Sequence, residues 1–344
     1  FLSIVNDMLF ELDHDSIHPA CKSYQKGIGC GKVVQEVVRW IESTDRQDIG
    51  FKADLSKYFD SVPIEFIDKE FDRIENKFGK SKIINVLRKY YHCDLCFDPD
   101  GNLIEHYQSL KQGCAIGSWL ADRVLYHIDE RLDTLCSTWG TRGTYIRYSD
   151  DILLISREYE KGMEILREEL EKMQMKLNPK KVEFLDKDRW FKFLGFMIKG
   201  DQITLSKSRV KDFQKEIESR TIKKRNTTKT KAINSVNRYL YKGDGKYSWA
   251  TSVLPIINVQ KDVDTLNEFV MDCIRAAETG KKKIGGLGCG IDKENYTILR
   301  GTGKNVKANK IKTEKDIEGY KSIRCMQNAL NYSRPLYETL VREM

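Results

Sequence analysis

The stretch Tyr145-Ile146-Arg147-Tyr148-Ser149-Asp150-Asp151-Ile152-Leu153-Leu154-Ile155-Ser156 decides how the rest of the chain is read. Tyr145 to Tyr148 and Ile152 to Ser156 are short apolar runs of strand length, and Asp150-Asp151 stand at their junction. Carboxylates flanked on both sides by apolar residues need a reason, because burying an unpaired charge is expensive. Asp54 has the same setting: it falls at the end of the run Ile49-Gly50-Phe51-Lys52-Ala53-Asp54-Leu55, which reads as a buried strand. If these strands are neighbours, three carboxylates meet at one edge of a sheet and repel one another unless a cation lies between them. Oxygen donors with no His or Cys nearby select a hard ion, Mg²⁺ before Zn²⁺. Two such ions roughly 3.5–4 Å apart activate an attacking hydroxyl and stabilise a leaving phosphate oxygen, which is the chemistry of nucleotidyl transfer. Singly, each Asp reads as an ordinary turn residue capping backbone groups; their combination is what points to metal.

Outward from this core, the pattern predicts an α+β order. Residues 1–50 read as two helical stretches around the polar loop Lys22 to Lys32, with Val33, Val34, Val37, Val38 and Ile41 at helical spacing. Pro63 suits the first turn of a helix carrying Phe66, Ile67, Phe71 and Ile74 on one face. Residues 83–97 predict a helix running into a strand, and Pro99-Asp100-Gly101-Asn102 a turn. The spacing predicts one helix from Trp119 to Leu132 and another through Met163, Leu166, Leu170 and Met173. Phe191 to Lys199 and Gln202 to Leu205 predict a hairpin turning at Gly200-Asp201. Such an order suits an antiparallel sheet with helices on one face.

Composition narrows the class. With 40% apolar and 32% charged residues, six prolines and no long apolar run, the 344-residue chain reads as globular rather than disordered or membrane-spanning. Nine scattered cysteines, an odd number, suit a reducing cytoplasm. The net charge of +8 is uneven: residues 206–246 hold 13 basic and 4 acidic residues, and residues 279–344 hold 14 and 7. Two basic segments on an acidic body are the electrostatic footprint of a polyanion binder, against the plainer reading of lysine-rich solvated helices. Gly27-Ile28-Gly29-Cys30-Gly31-Lys32 is a poor phosphate loop, because Val33 follows the lysine where Ser or Thr is needed. The pair Cys93 and Cys96 has no partner pair at zinc spacing and reads as free thiols.

Five stretches, in order, resemble the reverse transcriptases. Phe51-Lys52-Ala53-Asp54-Leu55-Ser56-Lys57-Tyr58-Phe59-Asp60 is similar to their first metal-binding motif. Lys111-Gln112-Gly113-Cys114-Ala115-Ile116-Gly117-Ser118-Trp119-Leu120-Ala121 resembles the Gln-Gly motif for template and nucleotide. Tyr148-Ser149-Asp150-Asp151 resembles the Tyr-x-Asp-Asp box, Leu177-Asn178-Pro179-Lys180-Lys181 the lysine-bearing motif, and Phe193-Leu194-Gly195-Phe196 the primer grip. The resemblance covers roughly residues 15–240. Two departures stand out. Ser149 occupies a slot more often filled by Ala, Val or Met, and the basic fingers strands that precede these motifs in the family are not in the sequence, which reads as starting after them.

The resemblance implies a right-hand polymerase: an antiparallel-sheet palm with a ferredoxin-like core, partial fingers and a helical thumb. The expected domains are partial fingers at 1–50, palm at 51–205 with inserted fingers elements at about 64–110, a basic thumb at 206–278 and a basic extension at 279–344. Asp54 and Asp150 would bind both metals, with Asp151 a weaker ligand and the Leu55 carbonyl on the nucleotide-side ion. Phe59 would be the steric gate against a 2′-hydroxyl, Gln112 would contact the nucleotide, and Gly113 would let backbone approach it. Lys181 would give a proton to pyrophosphate. Tyr148 would pack beside the primer, and Phe193, Leu194 and Gly195 would form the turn holding its end. Lys207, Arg209, Lys211, Lys215, Arg220, Lys223, Lys224 and Arg225 would follow duplex phosphates.

The expected activity is RNA-templated DNA synthesis with Mg²⁺, or Mn²⁺ as substitute. The expected partners are an RNA template, a DNA or RNA primer and dNTPs, with a structured non-coding RNA and an accessory protein as further candidates and no membrane. The setting would be the cytoplasm, in a bacterial or phage retroelement or an antiphage defence system. The rivals are an RNA-directed RNA polymerase, against which Phe59 and the Tyr148-Ser149-Asp150-Asp151 box speak, and a catalytically inactive RNA-binding scaffold, against which the intact Asp54, Asp150 and Asp151 speak.

Overall fold

The computed structural model of the chain describes residues 1–97, 100–105, 108–138, 143–224, 227–242, 248–284, 287–292, 297–299 and 317–343. It divides into two compact units, one of Phe1–Ile28 and Glu36–Arg189, the other of Gly29–Gln35 and Trp190–Met344.

The first unit opens with α1 (Leu2–Leu12) and includes most of α2 (Cys30–Glu42). Strand β1 (Asp48–Asp54) follows, then α3 (Tyr58–Ser61), α4 (Ile64–Phe78) and α5 (Lys82–Tyr91). Pro63 stands at the N-cap of α4, one position ahead of the expected first turn. Ser81 caps α5, its side chain accepting from the Ile83 amide. A small hairpin, β2 (Leu95–Phe97) with β3 (Leu103–Glu105), completes the insertion. Then come α6 (Gly117–Arg123), α7 (Tyr126–Thr138), β4 (Thr144–Tyr148), β5 (Asp151–Ile155), α8 (Tyr159–Lys172) and β6 (Glu183–Asp186).

The sheet order is β4-β5-β1-β6 and every pair is antiparallel. With helices between β1 and β4 and between β5 and β6, this is the split β-α-β-β-α-β arrangement of ferredoxin-like folds. Period-two alternation sends Phe51, Ala53, Ile152, Leu154 and Tyr145 to the face covered by helices, where Ile128 and Leu132 of α7 and Met163, Leu166 and Leu170 of α8 are buried with them. Lys52 and Asp54 alternate to the opposite face. Gly50 is obligatory in β1: a Cβ there would stand 1.9 Å from the Leu154 carbonyl oxygen. At the end of α1, the fully buried Asp13 accepts from Arg73, Lys77 and Ser16, tying that segment to α4.

The single helix expected over Trp119–Leu132 is two helices, α6 and α7. A continuous helix would give the carbonyls of Ala121 and Asp122 to amides four residues on. Here they accept from side chains instead: Ala121 from the Tyr58 hydroxyl at 2.5 Å and from Arg147, Asp122 from Arg147 at 2.8 Å. Side-chain donors from elsewhere in the fold thus break the helix, and apolar periodicity cannot reveal them.

The second unit holds β7 (Phe191–Phe193), β8 (Phe196–Lys199) and β9 (Gln202–Leu205), a three-stranded meander where apolar patterning predicted one hairpin and the primer-grip resemblance a turn at Phe193–Gly195. The extra turn is Leu194-Gly195, with φ of 46° and 81°; positive φ at both central residues is the tight hairpin turn that matches strand twist. After it come α9 (Lys207–Arg220), α10 (Lys229–Asn237), a π-helical turn Arg238–Lys242, α11 (Trp249–Ser252) and α12 (Gln260–Thr279). Strands β10 (Lys281–Ile284), β11 (Leu287–Asp292) and β12 (Thr297–Leu299) form a further antiparallel sheet, and α13 (Ile323–Tyr332) and α14 (Arg334–Arg342) end the chain. Asn267 of α12 accepts from Tyr320, Ser322 and the Ile323 amide, which seats α13 on α12. No described helix is long and apolar enough to cross a membrane.

Candidate active site

Asp54 at the end of β1 lies directly opposite Asp151 at the start of β5, and Tyr148 at the end of β4 lies opposite Asp151. The Leu55 amide donates to the Asp150 carbonyl at 3.1 Å, so Asp54 and Asp151 are a non-hydrogen-bonded pair, the class with the closer side chains. The row Tyr148–Asp151–Asp54 therefore runs across three strands on one face. Asp150 sits in the two-residue turn that joins β4 to β5, after Ser149, whose φ is 59°. Asp54 is buried, while Asp150 and Asp151 are half-buried.

Burial and the neighbouring charges of Asp150 and Asp54 push the Asp151 carboxyl up to about 6. Burial also raises Asp150, with the Asp54 charge adding to it. The motif-bearing loop supplies a counter-charge. Its backbone pairs with the end of β1, through Ser56 N–H to Lys176 O at 2.8 Å and Asn178 N–H to Asp54 O at 2.8 Å. The Asn178 side chain then accepts from the Lys180 amide, and the Lys181 amide donates to the Asn178 carbonyl. This turn carries Lys181 back so that its Nζ donates to Asp54 Oδ2 at 2.6 Å. The hydrogen bond to Asp54 holds the Lys181 ammonium above its ordinary range.

Among the described residues no group of three His, Cys, Asp or Glu side chains is placed to hold a metal ion. The donor set nevertheless fits a hard divalent ion by its chemistry: two facing carboxylates and a third at the adjoining turn, oxygen donors only, mutually repelling. The Leu55 main chain adjoins this group, its side chain buried and its backbone bridged to Leu177.

The other expected residues of this unit gather nearby in part. Phe59 in α3 is half-buried, edge-on to Tyr58 at 5.5 Å. Its ring edge also lies 3.6 Å from where a Cβ on Gly117 would be, which puts it beside the loop leading into α6. Gln112 is exposed at the tip of a turn closed by Cys114 N–H to Lys111 O at 3.0 Å. Gly113 has φ of 81°, as the third position of a type II turn requires. Lys111, which no motif reading singled out, anchors this turn. Its buried ammonium donates to the carbonyls of Tyr90 at 2.9 Å and Cys93 at 2.7 Å, at the C-terminal end of α5, the negative end of that helix.

Phe193, Leu194 and Gly195 belong to the second unit and form the β7–β8 turn. Arg209 is engaged there: its guanidinium lies over the Phe196 ring at 4.6 Å and against Gly195, and the Gly195 carbonyl accepts from the Ser206 amide at 3.0 Å. Lys207, Lys211 and Lys215 are exposed at every fourth residue of α9, a basic stripe on one helix face. Lys223 pairs with Glu218 at 3.0 Å, and Lys224 is exposed. Arg225, and Lys304, Lys307, Lys310 and Lys312 of the basic extension, lie outside the described residues.

A ferredoxin-like antiparallel sheet with aspartates at the end of its central strand and in the adjoining hairpin defines the palm of a nucleic-acid polymerase. The family profile described as reverse transcriptase (RNA-dependent DNA polymerase) matches residues 3–198, more than half of the sequence. The chain belongs to that family. Among solved structures it is similar to apo telomerase from Candida tropicalis, at 11% identity and a TM-score of 0.46, covering 80% of this chain and 48% of that one. Telomerase from Candida albicans, in complex with a TWJ fragment of telomeric RNA, is similar at 12% identity and a TM-score of 0.44, covering 81% and 51%. The chain thus spans about half the length of these proteins. No curated protein sequence matches it.

Proposed function

We propose that this chain performs RNA-templated DNA synthesis. The primer 3′-oxygen attacks the α-phosphate of a dNTP, a new P–O bond forms, the bond to the β-phosphate oxygen breaks, and pyrophosphate leaves. The observation that carries this reading is the register that sets Asp54 opposite Asp151 with Asp150 in the adjoining turn. Asp54, Asp150 and the Leu55 carbonyl are the donors for two divalent ions, Mg²⁺ or Mn²⁺, with Asp151 beside them. Bound there, such ions supply activation of the attacking hydroxyl and stabilisation of the leaving oxygen. Lys181 holds a proton at Nζ for the departing pyrophosphate. Phe59 fills the space a 2′-hydroxyl needs, and the Gln112-Gly113 turn presents side chain and backbone to the nucleotide. Tyr148 packs beside the primer terminus, and Phe193, Leu194 and Gly195 hold its end.

The stripe of Lys207, Lys211 and Lys215, with Lys223, Lys224 and Arg225, follows the phosphates of the template–primer duplex. Arg209 braces the grip turn from within. An RNA template and a DNA or RNA primer are the macromolecular partners, and a structured non-coding RNA or an accessory protein suits the basic extension. The setting in this reading is a bacterial or phage retroelement or an antiphage defence system in the cytoplasm, and the odd cysteine count supports a reducing compartment. Extension of a labelled primer on an RNA template tests the reading. Wild-type protein should incorporate dNTPs, and the Asp150→Ala, Asp151→Ala double variant should lose synthesis while still binding RNA. Synthesis that survives in the double variant refutes the site, and wild-type protein that binds RNA without extending the primer is a scaffold.

A further inference from the structure

Arg147 lies one residue before the Tyr-Ser-Asp-Asp turn and on the helix-covered face of β4, opposite to Tyr148. Its side chain and that of Asp129 in α7 are both fully buried. Nε donates to Asp129 Oδ1 and Nη2 to Oδ2, each at 2.7 Å. Nη1 donates to the carbonyls of Ala121 at 3.2 Å and Ser149 at 3.3 Å, and Nη2 to the carbonyl of Asp122 at 2.8 Å. A guanidinium has five N–H donors, and every one is placed. The Tyr145 hydroxyl adds a hydrogen bond to Asp129 Oδ1 at 2.8 Å.

Stability alone does not account for this arrangement. An apolar pair of matching volume serves a buried core as well as an ion pair, or better. Such a pair cannot hold three carbonyls in fixed directions, and these carbonyls come from two segments, the Ser149 turn and the end of α6, whose neighbours reach the candidate site. Ser149 is the positive-φ residue of the turn that carries Asp150, and strained backbone persists only where its surroundings over-determine it. Ala121 also accepts from Tyr58, whose helix carries Phe59. The Asp122 carboxylate accepts from Ser23 at 2.5 Å and Gln25 at 3.1 Å. Those two residues fix the loop that brings the Tyr24 hydroxyl to 3.5 Å from Ser149 Oγ. The main chain of Arg147 is clasped by the same segment, through its amide to Ala20 O at 2.9 Å and its carbonyl to Lys22 N–H at 2.8 Å.

We propose that Arg147, oriented by Asp129, is a positioning residue for nucleotide transfer: it sets the Ser149 carbonyl, and so the aim of Asp150, and registers that turn against the Phe59 helix and the Tyr24 loop. This role rests on the catalytic reading above and extends it to a side chain that touches neither substrate nor metal.

Two variants of the full chain test it. Arg147→Lys keeps a charge for Asp129 but loses the planar fork. The paired Arg147→Met, Asp129→Leu variant removes both charges together. Thermal unfolding, template–primer affinity, kcat for dTTP on poly(rA)·oligo(dT), and Mn²⁺ binding by electron paramagnetic resonance are measured on each. Both variants should unfold at lower temperature, because buried carbonyls lose their donors, while the folded fraction binds template–primer like wild type and its kcat and Mn²⁺ affinity each fall about 10–100-fold, the range seen when groups behind metal ligands are removed. A folded variant with wild-type kcat and Mn²⁺ affinity overturns the proposal, as does a kcat loss that only tracks the unfolded fraction. If the paired variant does not fold, Arg147→Lys decides alone. If wild-type protein makes no DNA, the polymerase reading falls by itself. The Mn²⁺ titration then decides on Arg147: weakened binding sustains its positioning of the Asp150 turn for a divalent ion, and unchanged binding overturns it.

Discussion

Asp54 and Asp151 face each other across a non-hydrogen-bonded pair, and their neighbours differ in what they contribute. Phe59 is held by Tyr58 and the Gly117 loop rather than sunk in the core, so its ring can be shortened without opening a large cavity. Phe59→Val should raise rNTP incorporation relative to dNTP by about 10–200-fold, the worth of removing a few carbons from a pocket wall, as read by competing the two nucleotides in one extension assay. Lys181 is exposed apart from its contact with Asp54. Lys181→Ala should lower kcat by about 10²-fold, with little change in the KM for dNTP, and should remove the alkaline limb of the kcat–pH profile. A kcat within about twofold of wild type would exclude Lys181 as the acid.

At the scale of elements, the site depends on how closely β1 approaches β5. Gly50 leaves no room for any side chain against the Leu154 carbonyl. Gly50→Ala must push the two strands apart and should cost about 3 kcal/mol or more, measured by urea unfolding, even though residue 50 lies far along β1 from the carboxylates. The break between α6 and α7 belongs to the same scale. Apolar spacing predicts one helix, because Leu120, Val124, Leu125, Ile128 and Leu132 do share a stripe. The break arises from Tyr58 and Arg147, 63 and 26 positions away from Ala121, the first carbonyl they take. In the second unit, Gly-Asp at 200–201 was the turn visible by composition, whereas the turn at Leu194-Gly195 was expected only from the primer-grip resemblance, because a Leu at positive φ gives no local signal.

At the scale of the molecule, buried charge governs the response to pH. Asp122 is fully buried, and burial pushes its carboxyl up to about 6 against the pull of Arg147 and the hydrogen bonds from Ser23 and Gln25. Its ordinary value is 3.8. The folded state therefore holds a proton that the unfolded chain releases between those values. That contribution to stability is complete below about pH 4, is lost as pH rises through about 6, and is then absent, with a slope of at most about 1.4 kcal/mol per pH unit. Asp122→Asn, to which Gln25 can turn its amide oxygen, should flatten this part of the stability–pH curve in urea unfolding at pH 4 to 7. An unchanged curve would place the titration elsewhere.

The placing of the aspartates at the ends of apolar strands was legible in the sequence, where a carboxylate so placed is a local contradiction that a cation or a partner resolves. Strands β1, β4 and β5 and the flanking helices were legible because period two and period 3.6 are written in neighbouring residues, whereas the Lys181 loop was expected only from the resemblance and the edge strand β6 was not predicted. The register of Asp54 against Asp151, the anchoring of the Gln112 turn by Lys111, and the buried Arg147–Asp129 pair were decided only by the tertiary structure. Each joins residues distant in the chain, and a basic residue in a strand carries the same letter whether it faces water or five acceptors in the core.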